Sequence, residues 1–470
     1  MIFIILFIAC ILGITVYIKN TRKVYKIFTG PPSDSYILGN TKKILKDLIY
    51  WHKDWIDKYS SNGFVYYRLI FGLSRLIVCN IEGIKHILVT NVDNYQKPKA
   101  GVGISLGQGL VFMEGELHRS HKKIIQPSFK HNEIINMYPK FIKCTNNTIN
   151  KWNDKINEGS KLVVDINEEM IRLTIEILCS TIFGGNMNIH NNEELYNNFN
   201  IIMKYFDLRP QLFIPGYGKL PTSENIEFKK ALSNIHTMLF KIIEDKKSDK
   251  LDDGDMIDSL LKYQDEDMIT TEQLIGHIIT FFIAGHETTA LALTWAFECL
   301  SQHEDIKMYL LKEIENIKDD GDITYENVKN MKYLNNFIKE VLRFYSPVPV
   351  THRQCIKEDI VNGKIIPEGT IIDIPIAALN KSTKYWDNPD KFDPERWTKI
   401  DDMSNYLYMP FLAGSRSCIG NKFAIEEIKI VLIKLLSKFT LTLPENYKYG
   451  YKVRITSRPD PSIKMFISLR

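Results

Sequence analysis

A chain of 470 residues, 44% of them hydrophobic and 25% charged, carries ample apolar material for a packed core, which argues against a disordered protein and allows one large or two to three ordinary domains. Its formal net charge of +4 is too small to point to nucleic acid as a partner. The seven cysteines (Cys10, Cys79, Cys144, Cys179, Cys299, Cys355, Cys418) form no C-x-x-C pair and are odd in number, which argues against a disulfide framework or zinc site and for a reducing compartment.

Residues 2–18 are almost wholly apolar and uncharged, close to the minimum that spans a bilayer. No basic stretch precedes them and no small-x-small cleavage site follows, so residues 1–18 read as a transmembrane signal anchor. Lys19, Arg22, Lys23 and Lys26 come next, and the positive-inside rule places them and everything after them in the cytosol. Gly30-Pro31-Pro32 breaks the chain, making residues 19–40 a basic, proline-containing hinge ahead of a body spanning 41–470. Residues 64–79 read as a β-hairpin around Gly72 and Ser74, followed by a helix near 81–90. The glycine-rich run Gly101–Gly109 lacks the Lys-Ser/Thr of a phosphate cradle and reads as a flexible loop.

Between Gly115 and Lys123, His118 and Lys122 stand four residues apart, on one helix face, where both can donate to a carboxylate. A two-histidine metal site at His118 and His121 is an alternative without an acidic third ligand nearby, and a solvated basic face including Arg119 and Lys123 is the plainer one. Residues 131–265 pattern as helices interrupted at Pro210, Pro215 and Pro221, with Glu244 to Asp258 as a solvated connection. Ile201, Ile202, Phe206 and Phe213 are candidates to roof a substrate site. Thr271 to Leu300 is apolar on most sides and belongs in the core of a large domain. The helix expected over 331–345 carries Glu340 and Arg343, a pair worth only about 0.2–0.5 kcal/mol if exposed. Lys364 to Thr370 reads as a hairpin, and 449–470 as the last one.

The stretch Phe411 to Gly420, FLAGSRSCIG, sets a lone thiol between two glycines, directly before the apolar helical pattern of Phe423, Ala424, Ile428, Val431, Leu432 and Leu435. A cysteine held out of a loop at a helix start is favoured as a thiolate and needs a cation to bind, haem iron being the candidate; a buried inert cysteine is the alternative. Gly414 permits a tight turn, Gly420 lets backbone approach a flat cofactor, Arg416 can meet a propionate, and Phe411 can shield the sulfur. This stretch resembles the haem-binding signature of the cytochrome P-450 superfamily, the haem-thiolate monooxygenases. The Ala284-Gly285-His286-Glu287-Thr288-Thr289 run resembles its oxygen-activating motif, and Glu340-Val341-Leu342-Arg343 followed by Phe392-Asp393-Pro394-Glu395-Arg396-Trp397 resembles its E-x-x-R and arginine pair.

The resemblance implies a mainly α fold with small β-sheets, a single haem domain behind a membrane anchor of the microsomal type, in the endoplasmic reticulum of a eukaryote. It implies haem b with Cys418 as axial ligand. Ala284 stands where some fatty-acid hydroxylases carry a glutamate that esterifies to haem, so the haem is expected to be non-covalent. Ala284 and Gly285 are expected to let the flat cofactor and dioxygen approach, and Thr288 to bond the carbonyl four residues earlier. Glu287 is expected to be a protonable group leading to solvent. Arg353, His118 and Lys122 are expected at propionates, although the family's Trp is His118 here; Glu340, Arg343 and Arg396 are expected to be structural. Asn380-Lys381-Ser382-Thr383 departs from the more usual His and Pro, and Arg454 to Pro461 is expected near substrate. The implied activity inserts one oxygen atom into an apolar organic substrate, with electrons from NADPH through cytochrome P-450 reductase and cytochrome b5 as a further donor. A haem-thiolate isomerase or dehydratase of hydroperoxides and a non-catalytic haem sensor remain open at this point.

Overall fold

The computed structural model describes residues 27–35, 37–46, 51–60, 62–69, 73–98, 109–157, 162–184, 193–205, 217–249, 255–317, 323–400, 406–453 and 455–470. The anchor and its basic flank, Gly72, residues 101–108, Phe206, Phe213 and Arg454 lie outside the described residues. The described chain is mostly helical with small sheets, as the sequence implies.

In chain order the strands begin with β1 (Phe64–Arg68), β2 (Ser74–Val78), β3 (Tyr95–Gln96) and β4 (Leu162–Asp165). Then come β5 (Thr351–Cys355), β6 (Asp359–Val361), β7 (Lys364–Ile366) and β8 (Ile371–Ile374). The last four are β9 (Phe439–Thr442), β10 (Gly450–Val453), β11 (Ser457–Asp460) and β12 (Lys464–Leu469). The helices include α1 (Gly115–Ile125), α2 (Tyr138–Asn157), α3 (Ile166–Ile182), α4 (Thr271–Gln302), α5 (Lys332–Phe344) and α6 (Asn421–Lys438).

The chain divides into two compact units, each assembled from separate segments. The first comprises Met1–Pro98, Val348–Phe392 and Ile400–Cys418. It holds a five-stranded sheet in the order β1-β2-β8-β5-β3. The expected hairpin is there, pairing Phe64 with Val78 and Arg68 with Ser74, although Ser74 opens β2 instead of lying in the turn. Trp51 and Trp55, one helical turn apart on Trp51–Tyr59, belong to the same buried core as Val65, Tyr67 and Ile77 of that sheet.

The hairpin expected over Lys364 to Thr370 is shifted. Its turn is Asn362-Gly363, both at positive φ (49° and 71°), which joins β6 to β7. Two consecutive left-handed residues are what a two-residue turn between right-twisted strands demands, and Asn-Gly supplies them. Pro367 cannot donate to a ladder, so the segment after Ile366 turns through Pro367 to Thr370 and enters β8.

The second unit comprises Lys99–Pro347, Asp393–Lys399 and Ile419–Arg470. Its axis is α4, started by a reciprocal cap in which Thr270 and Gln273 satisfy each other's backbone N–H groups. Among the described residues α4 is the one helix long and apolar enough to cross a membrane, and 78% of its most apolar window is buried in the fold, so it is the expected core helix. β12 lies between β4 and β9, antiparallel to both. Strand β4 lies in a stretch expected to be mainly helical: four residues are too few to show a period, and their partner lies some three hundred residues on.

The acid/base run Glu244 to Asp258 is not a plain solvated connection. Lys246 Nζ sits 2.5 Å from Asp255 Oδ2 and 2.9 Å from Asp258 Oδ1, and both carboxylates are buried. Mutual compensation lets these charges leave water, while Asp255 and Asp258 cap the helix Met256–Asp265.

Candidate functional site

In the first unit the chain between Phe411 and Cys418 is shaped by two left-handed residues, Leu412 (φ 58°) and Gly414 (φ 73°). A leucine in that region costs on the order of 1 kcal/mol or more, a strain that clusters at functional loops. A Cβ on Gly414 would lie 2.3 Å from the Leu88 carbonyl oxygen, so only glycine fits there. Ser417 N–H donates to the Gly414 carbonyl (3.0 Å) and Cys418 N–H to the Phe411 carbonyl (2.8 Å), closing the loop on itself. Cys418 is exposed, whereas Cys79, Cys144, Cys179, Cys299 and Cys355 are buried. Phe411 and Arg416 are half-buried. Arg353 is buried in β5, where its Nη1 donates to the His352 carbonyl (2.7 Å) and Thr351 Oγ1 (3.1 Å).

In the second unit Gly420 caps α6 at φ −85°, a conformation open to any residue. Helix α4, buried along most of its length, opens at one place: Ala284 is exposed, and Gly285 and Thr288 are half-exposed. Thr288 Oγ1 donates to the Ala284 carbonyl at 2.7 Å, the expected back-bond. A Cβ on Gly285 would sit 3.1 Å from Leu178 Cδ1, so this glycine lets α4 approach α3.

Glu287 is itself buried. Its Oε1 accepts from Thr456 Oγ1 (2.5 Å) and from Arg458, which forms an ion pair with it. Sequence reasoning missed both partners as ligands of this acid; at a separation of about 170 residues no local pattern announces them. Next to it, burial lowers the pKa of His286, whose Nδ1 bonds the Phe282 carbonyl.

Helix α1 puts His118 and Lys122 on one face, His118 buried and Lys122 half-buried, while Arg119 and Lys123 are exposed. The solvated-face alternative therefore fails for the histidines and holds for Arg119 and Lys123. His121 is buried too, its Nδ1 2.8 Å from His277 Nε2, and Leu110 N–H donates to His277 Nδ1 at 3.1 Å. That donor fixes the tautomer: His277 Nδ1 accepts, so its Nε2–H donates to His121. Burial drives the His277 pKa down to about 3 and lowers that of His121, so the pair is neutral. Among the described residues no cluster of three or more metal-ligating side chains exists, which leaves the two-histidine metal site without support.

Glu340 and Arg343, both fully buried, form a two-pronged pair: Arg343 Nε donates to Glu340 Oε2 (2.9 Å) and Nη2 to Oε1 (2.8 Å). Arg396 Nε reaches Oε1 at 3.4 Å, Asp393 N–H donates to Oε1 (2.9 Å), and Trp397 Nε1 to Oε2 (3.0 Å). The surface-pair alternative is thereby excluded. Trp397 is a member that sequence reasoning left out, although it directly follows Arg396.

A family model described as cytochrome P-450 matches residues 30–452. The chain belongs to the cytochrome P-450 family. It is 29% identical over 408 residues to a cytokinin hydroxylase of Arabidopsis thaliana, covering 84% of this chain and 78% of that protein. A cytochrome P-450 monooxygenase of Postia placenta is 25% identical over 485 residues (92% and 89% covered), and a cytochrome P-450 of Drosophila melanogaster 26% over 455 (89% and 84%). This P-450 is a haem-thiolate monooxygenase, and the family implies haem with cysteine-ligated iron. The residues present fit that cofactor: among the described cysteines the exposed thiol is Cys418, in a loop whose Gly414 admits no side chain.

Proposed function

We propose that this P-450 oxygenates an apolar organic molecule, a fatty acid, sterol or xenobiotic, taking electrons from NADPH through cytochrome P-450 reductase, with cytochrome b5 as a second donor. The observation that carries the reading is Cys418, the exposed thiol held out by the strained Leu412–Gly414 loop. When bound, haem b would supply a redox-active iron able to activate dioxygen, helped by the electron density of a thiolate ligand. Cys418 is the ligand, Phe411 shields it, and Gly414 and Gly420 leave room beside it. Arg416, Arg353, His118 and Lys122 donate to the propionates. Ala284 offers no carboxylate, so the haem is not esterified there. Residues 1–18 anchor the protein in a bilayer, residues 19–40 form the hinge, and 41–470 form the cytosolic catalytic domain.

On α4, Thr288 commits its own proton to the Ala284 carbonyl, which leaves its oxygen lone pairs to accept from a water. Glu287 is the carboxyl group with which this water exchanges protons. The test is product formation with and without NADPH and reductase: turnover of a hydroperoxide unaffected by omitting both would overturn the monooxygenase cycle in favour of an isomerase. In Thr288→Ala, haem content should stay unchanged while product formation falls by roughly 10²-fold and NADPH oxidation continues as peroxide release. Full coupling in that variant, measured as product per NADPH, would refute the relay.

A further inference from the structure

Every polar contact described for Glu287 falls on a single oxygen. Thr456 Oγ1 and Arg458 both address Oε1, whereas Oε2 is buried and has no hydrogen-bond partner among the described residues. Thr456 closes the turn before β11 and Arg458 lies within β11, and the side chains of both reach the same carboxylate oxygen. Ser457 between them is pinned on both its backbone groups: its N–H donates to the Pro347 carbonyl (2.9 Å), and its carbonyl accepts from Trp295 Nε1 (3.5 Å). His286, the neighbour of Glu287 on α4, is buried with Nδ1 on the Phe282 carbonyl and is no competing cation.

We propose that Arg458 and Thr456 are positioning residues for Glu287: they fix its carboxyl group through Oε1 and leave Oε2 as the atom that gives and takes the proton. The inference rests on the relay role proposed for Glu287. A buried carboxylate without a cation takes up a proton, and an arginine cannot surrender its own. Oε1 is committed, which confines proton exchange to Oε2. Arg458, 15% exposed against 1% for Glu287, is the member of the pair that reaches water, so access to the acid runs past its side chain.

The experiment uses the full-length holoenzyme and needs no substrate. In Arg458→Ala, the infrared difference spectrum against wild type should gain one protonated carboxyl band at neutral pH, and Arg458→Ala/Glu287→Gln should lose it again. Arg458→Lys should lack the band. A second readout is the ratio of reductase-driven NADPH oxidation in H2O and D2O. Glu287→Gln and Arg458→Ala should raise that ratio alike, and the double variant no further. If Glu287→Gln leaves the isotope ratio at the wild-type value, the relay reading itself falls. If Glu287→Gln raises it and Arg458→Ala neither raises it nor gains the band, the positioning role alone is overturned. Should Arg458→Ala fail to hold haem, Thr456→Val, which keeps the ion pair, should move the isotope ratio in the same direction by less; an unmoved ratio there overturns the proposal.

Discussion

Replacing Cys418 with alanine is expected to abolish the thiolate-type absorption of the reduced, carbon-monoxide-treated protein and to reduce oxygenation to background. The effect should be complete because no other described cysteine can substitute. Burial pushes the Cys144 thiol up to about 12 and the Cys355 thiol up to about 11, and it raises those of Cys79 and Cys179 as well. A thiol raised in this way supplies no thiolate at neutral pH. Cys299 is equally buried. The backbone of the loop should survive the change, since the Cys418 N–H bond to Phe411 and the left-handed Leu412 and Gly414 do not depend on the sulfur. Haem-free Cys418→Ala should therefore melt close to the haem-free wild type, which separates loss of the ligand from loss of the fold. Cys418→Ser, nearly isosteric, should lose the same band. An unchanged carbonyl spectrum in either variant would show that another group binds the iron.

The features legible in the sequence are those whose physics is local. The Phe411–Gly420 loop announces itself because glycine, arginine and thiol must follow one another at short range. The Thr288 back-bond follows from a hydroxyl placed four residues after a carbonyl in a helix. Glu340 and Arg343 share a face by helical period. The features that were not legible depend on which distant element arrives. Nothing near Glu287 names Arg458, nothing near His121 names His277, and nothing in Leu162–Asp165 names Lys464–Leu469. A charge in a run such as Glu244 to Asp258 reads as solvated until its compensating partner is placed, as Lys246 is. The Asn362-Gly363 turn is a different case, since Asn-Gly is a strong local hairpin signal that the pattern of the following residues overshadowed.

Removing Glu340 should cost the fold about 3–5 kcal/mol, enough to cancel much of the 5–15 kcal/mol that separates a typical folded chain from its unfolded state. The reason is what remains behind. Arg343 is fully buried, and a guanidinium cannot shed its proton, so Glu340→Ala leaves a permanent charge inside the second unit without the carboxylate that pairs it. It also strips the acceptor from Trp397 Nε1 and from the Asp393 N–H. Arg343→Ala should cost less, because the Glu340 carboxylate keeps Arg396 as a cationic partner and still accepts from Asp393 and Trp397. Arg396, at 3.4 Å and slightly exposed, should cost least of the three. The double variant Glu340→Ala/Arg343→Ala should recover part of the single-variant loss, since it deletes the stranded charge along with its partner. Denaturant midpoints of the haem-free proteins give the ordering directly. A Glu340→Ala variant as stable as wild type, or a double variant less stable than either single change by their full sum, would mean that the pair contributes by additive contacts and that no desolvated charge is at stake.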